Sequence, residues 1–419
     1  MRLLRADRVA RILWDARVWK RGHASLLWRQ VALRTSNERQ GFADSDHLVR
    51  AAEWLEQAQD ASGDGGVCGR YSLSKGWTSS YPGTTGYIVP TLLALAARLK
   101  DNRFAQRAER AVDFLLNVQL PSGAFPGLEI SANRTEPSPF NTAQIIHGLV
   151  AWYTASGAVP ALEAACRAAD WLLSVQDDDG AWRRHSYANV ATTYSAYLSC
   201  WLVEIGKHRG DDRYLAAARR HLDWVLSYQD PETGWIDLMG FGSDTHAKRT
   251  AFTNSIAYTL WGVLYTSAVL GRDDGVNAVE RAATAIARRL ELSQWLPGVL
   301  DANWRKGADF ACLTGNAQMA IVWLGLYERA HDERLLNAAL KAIDLVKASQ
   351  PMANRNPAIR GGLPGSDPIW GNYIHLTLPN WSVKFFIDAL LAKERAMQGM
   401  AGDDAFAVLP TLSRRQQSS

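Results

Sequence analysis

The stretch WLLSVQDDDGAW, residues 171–182, recurs along the chain and decides how the chain is built. Its pattern is an aromatic residue, aliphatic residues, Gln and a short polar turn that ends in another aromatic residue. The further copies are FLLNVQLPSGAF (114–125), WVLSYQDPETGW (224–235), WLEQAQDASGDGG (54–66), and the weaker RLELSQW (289–295) and DLVKASQPM (344–352). The repeated glutamines are Gln59, Gln119, Gln176, Gln229, Gln294 and Gln350, at intervals of 60, 57, 53, 65 and 56 residues. This spacing indicates an internal sixfold repeat.

Each repeat of about 58 residues has room for two helices and two connections. The helix before each Gln is amphipathic and has an Arg-rich exposed face. A more apolar helix follows each turn, at residues 85–99, 141–155, 192–206, 253–271, 315–330 and 380–394. Because these second helices are apolar on most faces, they must be buried on all sides. The pattern predicts an all-α fold, an (α/α)6 toroid of six inner and six outer helices. An open α-solenoid is the alternative.

The repeated Gln has a structural interpretation. Its amide at a helix end can bind backbone carbonyls of its own turn and of the next repeat, while the turn aromatic packs over it. We therefore expect the repeat motif to hold neighbouring repeats together rather than to carry chemistry.

The composition limits the class of protein. The chain of 419 residues is 47% hydrophobic and 21% charged, which is typical of a globular protein. Its net charge of +4 is too small to indicate a nucleic-acid partner. Its cysteines form no CxxC pair, which indicates free thiols in a reducing compartment. We expect a cytoplasmic protein, monomeric or weakly oligomeric, with no cofactor and no bound metal.

The first 30 residues resemble a basic amphipathic helix with three Trp. Such a helix can pack on the main body with its basic face in solvent, or contact the inner membrane or a synthase complex. The predicted organisation is a basic helical extension at 1–40, the toroid at 41–396 and a polar tail at 397–419.

The connections of the repeat are unequal. Those that leave the apolar helices are short and charged, such as KDNR and GRDDG. Those that lead into the apolar helices, called here the entering connections, are longer and rich in aromatic residues, amides and Gly. Because all six inner helices of a toroid point the same way, the entering connections would surround one mouth of a funnel. We expect the functional site there.

The side chains of the entering connections suit a sugar ligand. Aromatic rings can cover the apolar faces of sugars, and amides can bind their hydroxyls. Cations such as Arg70 and Arg183 would make the mouth positive, which favours an acidic oligosaccharide or polysaccharide. The candidate substrate-binding residues are Trp77, Tyr81, Tyr87, Asn141, Gln144, Tyr187, Arg249, Asn316, Gln318, Trp370, Tyr373, Asn380 and Trp381. The candidate catalytic residues are Tyr194, Tyr258, His246, Asn254 and Asp309.

Several blocks of the sequence resemble bacterial exopolysaccharide-cluster proteins with the squalene-cyclase/prenyltransferase-type toroid. The blocks are SYPGTTGYIVPTLL, FNTAQIIHGLVAWY, NSIAYTLWGVLY, CLTGNAQMAIVWLGLYE and GGLPGSDPIWGNYIHLTLPNWSVKFFIDALL. The resemblance covers about residues 45 to 395 and implies the same (α/α)6 toroid and a role in making or trimming a secreted polysaccharide. This chain departs from that family at Gly83, where relatives often carry Glu, and at Asn254, where they often carry His.

Two cleavage chemistries remain open. A lyase needs a group that neutralises the uronate carboxylate, which Asn254, Gln144 or Arg249 could supply, and an acid and a base, which Tyr194, Tyr258 or His246 could supply. A hydrolase needs two carboxyl groups across the bond. The candidates for those carboxyl groups are Asp244, Asp309 and Asp367.

Three further classes of protein remain open. One is a non-catalytic glycan-binding or scaffolding subunit of a polysaccharide synthase complex. A terpene-cyclase-like enzyme would need an acidic cluster in its funnel, and the Asp-rich QDDDG at 176–180 falls in a repeat turn instead. A prenyltransferase-like zinc site would draw on Asp309, Cys312 and His375, which is a weak pattern.

Overall fold

The computed structural model describes residues 6–35, 41–131 and 136–398 of the chain. Most of the predicted tail, 397–419, lies outside these residues. The helices are α1 (Ala6–Asp15), α2 (His23–Thr35), α3 (Asp44–Asp60), α4 (Pro82–Leu99), α5 (Arg103–Asn117), α6 (Pro139–Ser156), α7 (Val159–Ser174), α8 (Ala196–Arg209), α9 (Asp212–Leu226), α10 (Ser243–Ala247), α11 (Thr253–Leu270), α12 (Asp273–Ser293), α13 (Leu313–Ala330), α14 (Glu333–Ser349) and α15 (Asn380–Gln398).

Twelve of these helices form two concentric rings. The inner ring is α4, α6, α8, α11, α13 and α15, and each inner helix packs on the next. The outer ring is α3, α5, α7, α9, α12 and α14. The last inner helix, α15, contacts both α4 and α3, which closes the ring. The predicted (α/α)6 toroid is confirmed, and the open solenoid is wrong for this chain.

Among the described residues, seven short strands lie in the entering connections. They are β1 (Arg70–Ser72), β2 (Gly76–Trp77), β3 (Thr250–Phe252), β4 (Val299–Asp301), β5 (Ala311–Cys312), β6 (Ser366–Asp367) and β7 (Thr377–Pro379). They pair antiparallel as β2-β1-β7, β3-β4 and β5-β6. Tyr71 on β1 lies opposite Leu378 on β7, so this pairing joins the first and last repeats at the mouth.

The repeated glutamines form the seams between outer helices. At five of these seams, the Gln side-chain amide donates two hydrogen bonds. One goes to the carbonyl of a Gly in the same turn, and the other goes to a backbone carbonyl of the next outer helix. The acceptors are Gly65 and Arg107 for Gln59, Gly123 and Ala164 for Gln119, Gly180 and Ala217 for Gln176, Gly234 and Ala278 for Gln229, and Gly361 and His47 for Gln350. The structural interpretation of the repeat is confirmed at these five seams.

The sixth glutamine is an exception. Gln294 donates to Glu291 O, 2.6 Å away on its own helix, and bridges to no neighbouring helix through its amide N–H groups within the described residues. Gln294 caps the end of α12 with a left-handed backbone φ of 61°. Lys341 instead contacts Gln294 Oε1 across this seam at 2.5 Å.

Close packing of α4 on α6 depends on two glycines. A Cβ built on Gly148 would lie 2.1 Å from the carbonyl oxygen of Gly86, and a Cβ on Gly86 would lie 2.5 Å from Ile145 Cα. Because both obstacles are backbone atoms, side chains here would force the helices apart. The two helices that begin beside the mouth are therefore fixed closely together.

Two inner helices begin differently from the prediction. The sequence pattern predicts the first apolar helix at residues 85–99, but α4 already begins at Pro82. Proline is favourable there because the first helical residue needs no amide hydrogen bond and its φ is preset. Helix α8 begins at Ala196, after a 3-10 turn at Thr193–Ser195.

The N-terminal extension contains two helices, α1 and α2, rather than the single one expected. Arg17 and Gly22 adopt positive φ in the turn between them, which ends α1 and reverses the chain. A Cβ on Gly22 would also meet Asn354 Oδ1 at 2.2 Å, so the turn lies close against the toroid. Within the described ranges, no helix is long and apolar enough to cross a bilayer.

Candidate functional site

A cavity of about 750 Å³ opens where the inner helices begin. Its walls come from the entering connections and from the first turns of α4, α6 and α11. This is the end of the toroid at which the connection pattern places a site. The predicted residues that line it are Tyr81, Tyr87, Asn141, Gln144, Tyr187, Tyr194, Asn254, Tyr258, Tyr373 and Trp381.

Uncharged hydrogen-bonding groups from neighbouring inner helices meet in this cavity. Asn254 and Tyr258 lie one turn apart on α11, so both point to the same side of that helix. Gln144 approaches from α6, and its Oε1 accepts a hydrogen bond from Asn141 Nδ2 at 2.9 Å. Asn141 Nδ2 also donates to the Tyr81 hydroxyl at 3.1 Å. These amides and phenols are suited to bind sugar hydroxyls.

One acceptor among these groups is unused. Asn254 is 4% exposed, and its Oδ1 has no hydrogen-bond partner within the described part of the chain. A buried acceptor without a partner costs free energy unless a ligand or water supplies a donor. Because Asn254 lines the cavity, this atom is a ready contact for a ligand hydroxyl or amide.

The tyrosines of the cavity are held protonated. Burial raises the pKa of Tyr194 to about 12 and raises the pKa of Tyr258, the latter against the opposing effect of the Tyr87, Gln144 and Gln318 side chains. Burial also raises the pKa of Tyr87 and Tyr373 well above the usual range. At neutral pH these phenols stay protonated, so they can donate and accept hydrogen bonds but cannot act as bases.

The side wall of the cavity is aromatic. Phe140 packs edge-on against Tyr194 and Tyr258, with ring centroids 5.2 and 5.1 Å apart. Tyr373 lies 5.4 Å from Phe252 by ring centroids and accepts a hydrogen bond from Trp381 Nε1 at 3.0 Å. Sequence reasoning missed Phe140, Phe241 and Phe252 because it counted only aromatics with a polar atom. For Phe140 and Phe252, the position at the start of an inner helix was the available signal.

The floor of the cavity is a set of packed side chains, called here the plug. Phe385 of α15 contacts the rings of Tyr87, Tyr258 and Trp261 at centroid distances of 5.4, 5.7 and 5.9 Å. Tyr197 of α8 completes the plug at 5.3 Å from Trp261. The plug therefore joins four inner helices across the centre of the ring.

A buried ion pair lies within the plug. Lys384 is 1% exposed, pairs with Asp388, and lies 4.2 Å from the Phe385 ring centroid. Thr91 donates to the second Asp388 oxygen at 2.8 Å. Burial lowers the pKa of Lys384, while Asp388 opposes that shift. Sequence reasoning missed this pair, although a Lys and an Asp four residues apart inside an apolar helix were the signal.

The charge at the mouth differs from the expectation. The sequence predicts a positive mouth, but several of its cations are paired with acids. Arg70, which lines the cavity, binds Glu129 at 2.8 Å. The other pairs are Arg183 with Asp177 and Asp179, Arg249 with Asp237, Lys248 with Asp244, and Lys306 with Asp309. Sequence alone missed this neutralisation because a pairing such as Arg70 with Glu129 joins two different repeats.

Glu136 is a functional candidate that sequence reasoning also missed. It comes from the entering connection of α6 and is the one carboxylate among the described residues that line the cavity. An isolated bridge between Pro126 and Pro137 fixes the end of this connection, and Gly127 N donates to Glu136 O at 2.9 Å. The acid beside the Pro-Ser-Pro segment that starts α6 was the signal in the sequence.

Four predicted binding residues lie outside the cavity lining. Trp77 packs against Trp54, 5.1 Å away by ring centroids. Asn316 Nδ2 donates to Cys312 O at 2.9 Å, and Gln318 is buried on the same helix. Asn380 Nδ2 donates to Cys68 O and Thr84 Oγ1, which ties α15 to the start of α4.

The remaining predicted residues also lie off the cavity lining. His246 bonds to Gly240 O at 2.9 Å, and Trp370 is half-buried in the connection before α15. Arg249 lines a separate surface hollow beside Asp237. Asp309 is exposed and pairs with Lys306. These residues lie in entering connections, but that position did not determine whether their side chains face the cavity.

The carboxyl groups suggested for a hydrolase do not converge. Asp244 and Asp309 have side chains that are 96% and 86% exposed. Asp367 accepts from Ser349 Oγ at 3.3 Å at the end of α14. None of the three lines the cavity.

The groups that a terpene cyclase or a zinc-dependent prenyltransferase would use also lie outside the cavity lining. Asp177 and Asp179 of the Asp-rich turn bind Arg183 instead. Cys312 is a buried thiol that accepts from Gly315 N at 3.4 Å, and burial raises its pKa to about 12. Across the described ranges, no three His, Cys, Asp or Glu side chains are grouped to hold a metal ion.

Gly83 lies beside the polar group of the cavity. A Cβ built on it would come within 2.2 Å of Asn141 Nδ2 and 2.6 Å of Gln144 Oε1. The bonded Asn141–Gln144 pair thus occupies the space that a side chain at position 83 would need. A carboxylate there would have to displace both amides.

Comparison with known proteins links the chain to sugar chemistry. The family model described as β-L-arabinofuranosidase, GH127 catalytic domain, matches residues 32–254. Among curated proteins, lanosterol synthase erg7A of Aspergillus fumigatus is 25% identical over 261 residues. That match covers 54% of this chain and 34% of lanosterol synthase, so the chain spans about a third of that relative.

Solved structures of low sequence identity share the fold. Unsaturated glucuronyl hydrolase from Bacillus sp. GL1 superposes with a TM-score of 0.66 at 14% identity, covering 90% of this chain and 100% of that one. Cellobiose 2-epimerase from Bacillus thermoamylovorans B4167 also gives a TM-score of 0.66, at 13% identity, covering 83% and 98%. Both likenesses support the (α/α)6 toroid.

Proposed function

The chain belongs to the family described as β-L-arabinofuranosidase, GH127 catalytic domain. We propose on this basis that it is a carbohydrate-active enzyme. From its cavity, we propose that it cleaves an acidic polysaccharide by elimination. The observation that carries the proposal is the convergence of Gln144, Asn254 and Tyr258 in an aromatic-walled cavity with Glu136, the one carboxylate of its described lining. Hydrolysis by the usual route needs two carboxyl groups. Elimination needs a proton acceptor, a proton donor and a group that binds the uronate carboxylate.

The cavity can supply each of these groups. The amides of Asn254 and Gln144 bind the carboxylate, which stabilises the charge that develops when the neighbouring carbon loses its proton. Glu136 accepts that proton, and the electron pair forms the double bond of the unsaturated sugar. The bond from the next carbon to the glycosidic oxygen breaks, and Tyr258, which burial keeps protonated, donates a proton to the leaving oxygen.

The aromatic wall would position the sugar ring. Phe140, Phe252 and Trp381 offer ring faces and edges to the apolar side of a sugar. One structural neighbour also supports an acidic substrate, since that unsaturated glucuronyl hydrolase is described as responsible for the degradation of glycosaminoglycan. An acidic polysaccharide is therefore the first substrate class to test.

A glycan-binding subunit without catalysis is the second candidate. The pairing of Arg70 with Glu129 leaves no uncompensated guanidinium from this residue to neutralise a uronate or to activate a phenol. Asn254 also stands where the exopolysaccharide proteins that the sequence resembles often carry His. Binding of a glycan without turnover would support this candidate.

We further propose that the reaction belongs to the synthesis or trimming of an exported polysaccharide. The five resembling sequence blocks support this context, and four of them contribute residues such as Tyr81, Asn254 and Tyr373 to the cavity lining. A terpenoid substrate is less suited, because the Asp-rich turn at residues 176–180 lies outside the cavity lining.

The proposal predicts a product and a residue dependence. Incubation of the full chain with uronate-containing oligosaccharides should yield an unsaturated product, followed by its ultraviolet absorbance. Tyr258→Phe should lower kcat by about 100-fold or more, since proton transfer typically contributes that much. Glu136→Gln should have a comparable effect.

Matched controls separate chemistry from folding. Tyr265→Phe removes a hydroxyl at the far end of the same helix, where it donates to Glu204 at 3.0 Å, and should leave kcat unchanged. New reducing ends without the absorbance would contradict elimination. Calorimetric binding that is weakened in Asn254→Ala, with no product from the unmodified chain, would favour the binding subunit.

A further inference from the structure

The N-terminal helices α1 and α2 each have a face buried against the toroid. Ile12 and Ala16 form that face on α1, and Leu26, Leu27 and Gln30 form it on α2. All of these residues are at most 8% exposed. The extension is thus packed on the main body, which is one of the two arrangements expected from the sequence.

Hydrogen bonds also fix the extension in place. Arg29 Nη2 donates to Ala348 O at 2.7 Å, and Ile369 N donates to Gln30 Oε1 at 3.0 Å. Asn354 Nδ2 donates to Gly22 O at 2.9 Å. Ala348 lies in the last turn of the outer helix α14, and Ile369 belongs to an entering connection. The extension is therefore attached at the mouth end of the toroid.

Three exposed tryptophans belong to the extension, Trp14 on α1, Trp28 on α2 and Trp19 in the turn between the helices. Trp14, Trp19 and Trp28 are 72%, 61% and 73% exposed, and are called here the Trp patch. The rings of Trp14 and Trp19 lie 5.2 Å apart. Trp14 and Trp28 each follow a buried residue by one or two positions, about 100–200° around the helix, so they point away from the toroid. Folding does not require these three side chains, because the inner face already holds the helices.

Cations outnumber acids around the Trp patch. Arg8, Arg11, Lys20 and Arg21 are exposed on α1 and on the turn that follows it, and Arg17 is half-buried. The acids of the same segment are Asp7 and Asp15. The surface combines interfacial aromatics with positive charge, which is the composition of helices that lie in the headgroup layer of a bilayer.

We propose that α1 and α2 form a docking surface for an anionic lipid bilayer. The tryptophans would enter the headgroup layer, and the arginines and Lys20 would contact anionic headgroups. A second copy of the chain fits less well, because a symmetric dimer brings the same surface against itself and would set cations against cations. Attachment at the mouth end would hold the cavity near the membrane surface.

Vesicle sedimentation of the full chain tests this surface. We expect binding to phosphatidylcholine vesicles that contain phosphatidylglycerol and much weaker binding to phosphatidylcholine alone. Replacing the Trp patch by Ala at all three positions should lower the partition coefficient at least about tenfold. The pair Lys20→Glu and Arg21→Glu should lower binding to the anionic vesicles by about tenfold or more.

The control is Leu292→Ala, which removes an 81% exposed apolar side chain from α12 and should bind as the unmodified chain does. Unfolding curves for all variants should coincide, since the altered side chains lie outside the packed face. Failure of the unmodified chain to bind anionic vesicles would overturn the proposal, as would full binding after loss of the Trp patch. A dimer that dissociates on loss of the patch, without vesicle binding, would show a second copy as the partner instead.

Discussion

His221 lies fully buried on α9, between Gly180 O, 2.8 Å from its Nδ1, and Ser195 Oγ, 3.1 Å from its Nε2. Burial lowers its pKa from 6.5 to about 4. A lowered histidine pKa means that the unfolded chain binds more protons than the folded chain between these two values. The free energy of unfolding should therefore fall as pH drops from about 6.5 to about 4.

The size of this effect can be measured. A shift of this size corresponds to about 3 kcal/mol lost across the window. In His221→Gln, the fall in unfolding free energy between these pH values should be smaller by that amount, as followed by chemical denaturation at several pH values. His208→Gln, at an exposed position on α8, should keep the full slope. An unchanged slope in His221→Gln would contradict the assignment.

At the residue scale, the direction of a side chain could be predicted from the sequence where the residue lies on a helix. Asn254 and Tyr258 share a helix face at a known distance from the start of α11, so both could be placed toward the mouth. Trp77 and His246 lie in connections, where the next backbone turn determines which way a side chain points. Charge partners such as Glu129 for Arg70 come from another repeat and leave no signal in one sequence.

The seams set the stability at the scale of elements. Gln119 joins its own turn to α7 through bonds of 2.9 and 2.8 Å to Gly123 O and Ala164 O. Gln119→Ala removes both bonds and should lower the free energy of unfolding by about 2 kcal/mol. Gln294→Ala is the matched control, because the amide N–H groups of this glutamine bond within its own helix. It should cost less than about 1 kcal/mol. Equal losses in urea denaturation would show that the bridging bonds are unimportant.

Most elements could be predicted from the repeat. The Gln and its turn mark the end of each outer helix, and the apolar run marks each inner one. The starts were less certain, because Pro82 fits either a turn or a first helical residue. The short strands were not predicted, since two or three residues carry no periodicity. The second N-terminal helix was missed because a left-handed Arg17 gives no sequence signal.

At the scale of the whole molecule, the ring has no free end. Gln350 joins α14 to α3 through His47 O and its own turn at Gly361 O. The first outer helix should therefore be as resistant to local opening as an internal one. Amide hydrogen exchange in α3 should match that in α7 within about tenfold.

Opening this seam gives the contrast. Gln350→Ala should speed amide exchange in α3 relative to α7. The substitution removes the bond from Gln350 to His47 O on α3, whereas the seam at α7 stays intact. Faster exchange in α3 of the unmodified chain would mean that the seam is weak and that the ring behaves as an open array.

The plug has a consequence for the size of the products. Phe385, Trp261 and Tyr197 fill the centre of the ring, so the cavity is blind and a glycan cannot thread through it. Asn254 and Tyr258 are 4% and 6% exposed, so a terminal unit or a branch tip reaches them more readily than the middle of a chain does. Cleavage there would shorten a polymer stepwise from one end and release short fragments, leaving the remaining chains long until late in the reaction.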